Sequence, residues 1–126
     1  MIFGIGVDLV EIARIESAQR RFGQRLARRL LAPEELLEYA HAPRRSRYLA
    51  KRFAAKEALA KALGTGIGRE LSWHAIRVVH DSKGRPYFDP GTALHRLLKQ
   101  HQIIASHLSI SDERGHALAF VILERT

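Results

Sequence analysis

Phe53-Ala54-Ala55-Lys56-Glu57-Ala58-Leu59-Ala60-Lys61 decides how this chain is read. Each helical residue advances about 100°, so with Phe53 as origin Glu57 falls at roughly 40° and Lys61 at roughly 80°. A carboxylate and an ammonium therefore share one side of a helix, one turn apart, beside Ala50 and Ala54. Leu49, Ala60 and Leu63 carry the apolar surface on past Phe53, and a helix apolar nearly all round belongs at the centre of a fold. A charged pair held among such small side chains calls for a partner, and a metal or a phosphate would serve. The same spacing also describes an ordinary solvated i, i+4 pair, which stabilises a helix by about 0.2–0.5 kcal/mol.

Upstream, Pro43 and Arg44-Arg45-Ser46 interrupt the helical pattern, and Ser46 is expected to cap the central helix. Downstream, Gly64 is the natural residue just past its end, followed by Thr65-Gly66-Ile67-Gly68. Glycines at alternate positions suit close approach to phosphate, although the spacing matches neither a Walker A loop nor a dinucleotide fingerprint. Two shorter helices are expected before it, one through Phe22 to Leu31 and one opened by Pro33 and carrying Leu36, Leu37 and Tyr39.

At the start of the chain, Ile2 to Val7 reads as a strand with Phe3, Ile5 and Val7 on one face and Gly4, Gly6 and Asp8 on the other. Two glycines beside a carboxylate let a ligand or another backbone come close. Asp8-Leu9-Val10-Glu11 then reads as a capping box opening a helix of Leu9, Ile12, Ala13 and Ile15, with Asp8 as its N-cap. The second half turns to strands. Ala75 to His80 and Tyr87-Phe88 flank the turn Asp81 to Pro86, and Asp89-Pro90-Gly91 precedes a helix of Ala93, Leu94, Leu97 and Leu98. Ile103 to Ser111 and Ala117 to Leu123 read as an antiparallel pair, the latter apolar on both faces and hence central. One strand, a block of helices, then strands around one more helix predicts an α+β fold with an antiparallel sheet packed on the long helix.

With 126 residues, 46% of them apolar, the chain is expected to form a single domain over residues 1–126 with a real core. It has no cysteine, which removes disulfides and thiolate chemistry and suits a reducing cytosol. The N-terminus lacks a basic n-region and no apolar run approaches the about 20 residues of a membrane span, so a cytoplasmic location without membrane association is expected. Lysine and arginine total 21 against 13 acidic residues, a formal charge of +8 that predicts an anionic partner. The basic residues cluster at Arg20, Arg21, Arg25, Arg28 and Arg29, and again at Arg44, Arg45, Arg47, Lys51, Arg52 and Lys56. A basic domain binding RNA or another anion without catalysis is the alternative to an enzyme. Against it, the chain shows no RNP-like aromatic pattern, GXXG clamp, helix-turn-helix spacing or zinc finger, and aromatics make up only 7%.

Asp8 and Glu57 are the only acidic residues in glycine-rich or otherwise apolar settings. Two carboxylates from separate elements suit Mg²⁺, a hard, oxygen-bound ion, in a chain without thiolates or an HExxH-type histidine pair. Lys61 beside them is placed to meet charge developing in phosphoryl transfer. His107 lies on a polar strand face with Ser109 and Ser111, where an ordinary surface histidine is the simplest reading, and the single Trp73 reads as a packing residue.

Four segments together resemble the holo-acyl-carrier-protein synthase family, the small bacterial 4′-phosphopantetheinyl transferases. Gly4-Ile5-Gly6-Val7-Asp8 with Glu11-Ile12-Ala13-Arg14-Ile15 is similar to its first motif, and Arg52 to Lys61 with Leu63 to Gly68 to its second. Lys83-Gly84-Arg85-Pro86 resembles its Gly-Lys-Pro-type turn, and His107-Leu108-Ser109-Ile110-Ser111 its terminal strand motif. The resemblance implies transfer of 4′-phosphopantetheine from coenzyme A to a serine of apo acyl carrier protein, releasing 3′,5′-ADP, in fatty acid biosynthesis. It implies that Asp8 and Glu57 hold Mg²⁺, that Glu57 helps deprotonate the serine directly or through a metal-bound water, and that Lys61 stabilises or protonates the leaving phosphate. Arg44, Arg45, Arg52, His107 and the loop of Gly64, Thr65 and Gly66 would contact the nucleotide and its phosphates. Arg14, Arg21 and Arg25 would face the acidic carrier protein. The family also implies a homotrimer with active sites between subunits. Where some relatives place a histidine after the terminal strand motif, this chain has Asp112, to which no catalytic role is assigned.

Overall fold

The computed structural model describes residues 1–65, 71–89 and 91–126; the expectations on Gly66, Ile67, Gly68 and Pro90 lie outside the described residues. The fold is α+β. Strand β1 (Ile2–Glu11) leads into helices α1 (Ile12–Phe22), α2 (Gln24–Leu30), α3 (Pro33–His41) and the long α4 (Arg45–Leu63). A 3-10 turn at Trp73–Ala75, the hairpin β2 (Arg77–His80) and β3 (Pro86–Asp89), α5 (Thr92–Gln100), β4 (Ile103–Glu113) and β5 (His116–Arg125) complete it. The main sheet is antiparallel in the order β1-β5-β4, so the doubly apolar β5 is central as its composition predicts.

Helix α4 lies across one face of this sheet, with Leu49, Ala50, Ala54, Ala55, Ala58 and Leu59 fully buried. The approach is set by glycine. A Cβ built on Gly4 would stand 2.0 Å from the Ala62 carbonyl oxygen, and one on Gly6 would stand 1.9 Å from that of Ala58. Two strand residues rise about 6.6 Å and four helical residues about 6 Å, so alternate glycines on β1 match successive turns of α4. The neighbour admitted by these glycines is therefore a backbone. We expect Gly6→Ala to destabilise the fold by about 2–3 kcal/mol through overpacking, read as a lower urea midpoint at unchanged m-value. An unchanged midpoint would mean that strand and helix separate freely.

Two local expectations are corrected. Asp8 does not cap a helix: β1 continues to Glu11, pairing Asp8 with Ala119 and Glu11 with His116, and α1 begins at Ile12. The long β5 supplies partners for the backbone of residues 8–11, so the ladder satisfies groups that a capping turn would otherwise satisfy. Ser46 is not the cap of α4 either. The helix starts at Arg45, and the Ser46 hydroxyl donates to Gln19 Oε1 on α1. Gly64 ends α4 as expected, in the left-handed conformation at φ 80°.

Part of the second basic cluster turns out to be internal. Lys56 and Glu35 are both 0% exposed, and the Lys56 ammonium donates to Glu35 Oε1 at 2.5 Å, to the Leu30 carbonyl at 2.7 Å and to the Trp73 carbonyl at 3.0 Å. Glu35 also accepts from the backbone N–H of Ala32 and of Val78, so one ion pair ties together α2, α3, α4 and β2. Burial pushes the Lys56 pKa down, partly offset by Glu35.

Candidate active site

Because the glycines seat β1 on α4, Asp8 arrives beside the Glu57 and Lys61 side of that helix. A helical side chain leans toward the N-terminus of its helix, which carries Lys61 back toward Glu57. Its ammonium donates to Asp8 Oδ1 and to the Val7 carbonyl, each at 3.0 Å. Glu57 is half-buried, and Trp73 Nε1 donates to its Oε1 at 3.1 Å. Burial raises the Glu57 pKa above its ordinary value and the charge of Asp8 adds to the rise, while the Trp73 hydrogen bond and Lys61 oppose it.

These groups stand at a cleft of about 680 Å³ between β1, α1, α2 and the Trp73 turn. Its walls include Ile15, Ala18, Leu26 and Phe53; Asp8 and Glu57 lie at its polar end, with Arg14 and Arg29 also on its lining. Among the described residues no three histidine, aspartate or glutamate side chains cluster as a metal cage. The donor set is two carboxylates of which one is driven toward its neutral form by burial and by the other. Such a pair fits a hard divalent cation that takes its remaining ligands from water or phosphate.

The structure brings together Asp8, Glu57, Lys61 and Arg14. Arg21 and Arg25 are exposed on α1 and α2, outside the cleft lining. Gly64 and Thr65 follow Lys61 at the end of α4, where both backbone N–H groups donate to the Ala60 carbonyl. Arg44 and Arg45 stand at the opposite end of that helix, and Arg45 donates to the Ala40 carbonyl and covers the Tyr39 ring. Arg52 is not at the cleft: it is 5% exposed, lies 3.7 Å from Glu35, and stacks over Tyr48. Five residues before Glu57, it points to another side of α4. His107 pairs across the sheet with Ile122, which pairs with Ile5, on the face turned away from α4, and its Nε2 lies 3.3 Å from Glu124. One chain thus presents His107 and Asp8 on opposite faces of the sheet.

Trp73 was missed. It does pack, with its ring 5.9 Å from that of Phe53, but it also holds Glu57. Arg29, one of five arginines in the first basic cluster, lies over the Trp73 ring at 5.5 Å and lines the cleft. Nothing in the linear spacing distinguishes it from Arg28. Its position depends on how α2 packs on the turn at Trp73.

The family model of the 4′-phosphopantetheinyl transferase superfamily matches residues 4–121. The chain is 54% identical over 125 residues to a holo-[acyl-carrier-protein] synthase of Nitrosospira multiformis, covering 99% of this chain and all of that protein. The crystal structure of the Neisseria meningitidis synthase superposes with a TM-score of 0.95 at 50% identity, covering 99% of this chain and 100% of that one. The Bacillus anthracis synthase, solved in complex with CoA (3′,5′-ADP), superposes with a TM-score of 0.81 at 38% identity, covering 100% of this chain and 99% of that one. On this match along nearly its whole length, the chain belongs to the holo-[acyl-carrier-protein] synthase family of the 4′-phosphopantetheinyl transferase superfamily.

Proposed function

We propose that the protein transfers 4′-phosphopantetheine from coenzyme A to a serine of apo acyl carrier protein, releasing 3′,5′-ADP, in the cytoplasm and in service of fatty acid biosynthesis. The observation that carries this reading is the meeting of Asp8, Glu57 and Lys61 at the polar end of an apolar cleft lined also by Arg14. Asp8 and Glu57 would hold Mg²⁺, which when bound offsets the charge of the coenzyme A diphosphate. Glu57 accepts the serine proton as the hydroxyl oxygen bonds to the phosphorus bearing the pantetheine arm. A carboxyl raised above its ordinary range is a better base than an unperturbed one. The bond from that phosphorus to the 3′,5′-ADP oxygen breaks, and the Lys61 ammonium stabilises or protonates the leaving phosphate. Ile15, Leu26 and Phe53 give the reacting groups an apolar wall on one side.

Gly64, Thr65 and Gly66, with Arg44, Arg45, Arg52 and His107, are the proposed nucleotide contacts. The last four lie away from the cleft of their own chain, which supports sites shared between subunits of a homotrimer. An uncovered apolar sheet face supports it too: Ile5, Val7 and Leu9 are 59%, 50% and 64% exposed, and Leu118 and Phe120 join them. Arg14, Arg21 and Arg25 offer a basic face to the acidic carrier. Arg14→Ala should raise KM for carrier protein several-fold while leaving KM for coenzyme A unchanged, with the effect shrinking as salt increases. A change confined to coenzyme A would undo that docking role.

The test is to mix the protein with a known-competent apo acyl carrier protein, coenzyme A and Mg²⁺, with an EDTA control, and weigh the carrier. Gain of one phosphopantetheine, lost with EDTA, is expected. No gain would return the chain to the class of basic anion-binding domains.

A further inference from the structure

Lys56 and Glu57 are consecutive on α4 yet face different surroundings, and Trp73 touches both. Its carbonyl accepts from the buried Lys56 ammonium at 3.0 Å and from the Ile76 N–H at 3.1 Å. Its indole N–H donates to Glu57 Oε1 at 3.1 Å. The ring is held on two sides, by Phe53 at 5.9 Å between centroids and by the Arg29 guanidinium at 5.5 Å. All three N–H donors of the ammonium are engaged, with Glu35, Leu30 and Trp73, so the anchor is saturated and unable to rotate away without loss.

We propose that Trp73 is a positioning residue: the Lys56–Glu35 pair pins its backbone, and its indole N–H holds the Glu57 carboxylate in the orientation used at the cleft. Indole nitrogen is a donor only, so it can hold a carboxylate oxygen and cannot take that oxygen's place as a ligand or base. The role rests on the transferase reading, since it concerns how Glu57 is aimed for that reaction. Misaligning one reacting group by an ångström costs up to about 100-fold in rate, so the contact is worth testing in turnover.

Trp73→Phe keeps an aromatic ring between Phe53 and Arg29 and removes the N–H along with the remainder of the five-membered ring. It should lower kcat by roughly 10- to 100-fold with little change in KM for coenzyme A or carrier protein. An unchanged kcat, or a loss carried wholly by KM, would overturn the proposal. A second readout needs no turnover, because Trp73 is the only tryptophan. Excitation moves indole electron density away from the pyrrole nitrogen, so a carboxylate beside that nitrogen shifts emission to the red. Glu57→Gln should therefore shift emission to the blue, and coincident spectra would show that the contact is not made. Should the wild-type protein fail to modify a competent carrier, the transferase reading falls while the emission comparison still judges the contact.

Discussion

Glu57→Gln is expected to lower kcat/KM for phosphopantetheine transfer by on the order of 1,000-fold or more while the fold survives. The amide keeps the size of the side chain and an oxygen that accepts from Trp73 Nε1, so the packing around it is retained. It loses the negative charge required to take the serine proton and to share a divalent cation with Asp8. The thermal midpoint should not fall. A carboxyl whose pKa is raised in the folded protein favours its neutral form there, so above that pKa its ionisation costs stability, and the neutral amide removes that cost. Turnover close to wild type would remove Glu57 from the mechanism. A collapsed midpoint would make it a structural residue instead.

Glu35→Ala is expected to destabilise the fold by about 3–5 kcal/mol, because it leaves a fully buried ammonium without its counter-charge. The backbone N–H groups of Ala32 and Val78 lose their acceptor as well. The loss should deepen as pH falls. Burial lowers the Lys56 pKa and Glu35 is the chief influence raising it, so without Glu35 it falls further below its unfolded value, and more stability is lost as the pH drops from the unfolded pKa toward the folded one. Urea unfolding at two pH values reads both effects. A loss under about 1 kcal/mol, independent of pH, would mean that water reaches Lys56. Replacing both partners together, Glu35→Leu with Lys56→Met, should recover only part of the stability, since it removes the uncompensated ammonium but still leaves the Ala32 and Val78 N–H groups and the buried Arg52 without the carboxylate.

These two experiments separate what was legible in the chain from what was not. Glu57 and Lys61 are readable because residues four apart on a helix share a side, whatever surrounds them. Asp8 was readable as a carboxylate among glycines, but its local signal, a capping box, named the wrong use for it. The long β5 ladder overrode that signal. In the linear sequence Lys56 and Arg52 belong to a cluster of cations that suggests an anionic partner. Formal charge does not say which cations are buried against Glu35, a residue 21 positions from Lys56.

Element order, the α+β class, the central helix and the shared helix side of Glu57 and Lys61 are legible in the chain alone, because periodicity, glycine placement and turn residues act over a few neighbours. The tertiary structure alone showed that the glycines of β1 admit a helix backbone, and that Trp73 reaches Glu57 with Arg29 lying over its ring. It also decided that His107 faces away from Asp8 across the sheet. Each of these depends on contacts between elements far apart in the chain, where distance is set by packing and ladder register, neither of which a local pattern encodes.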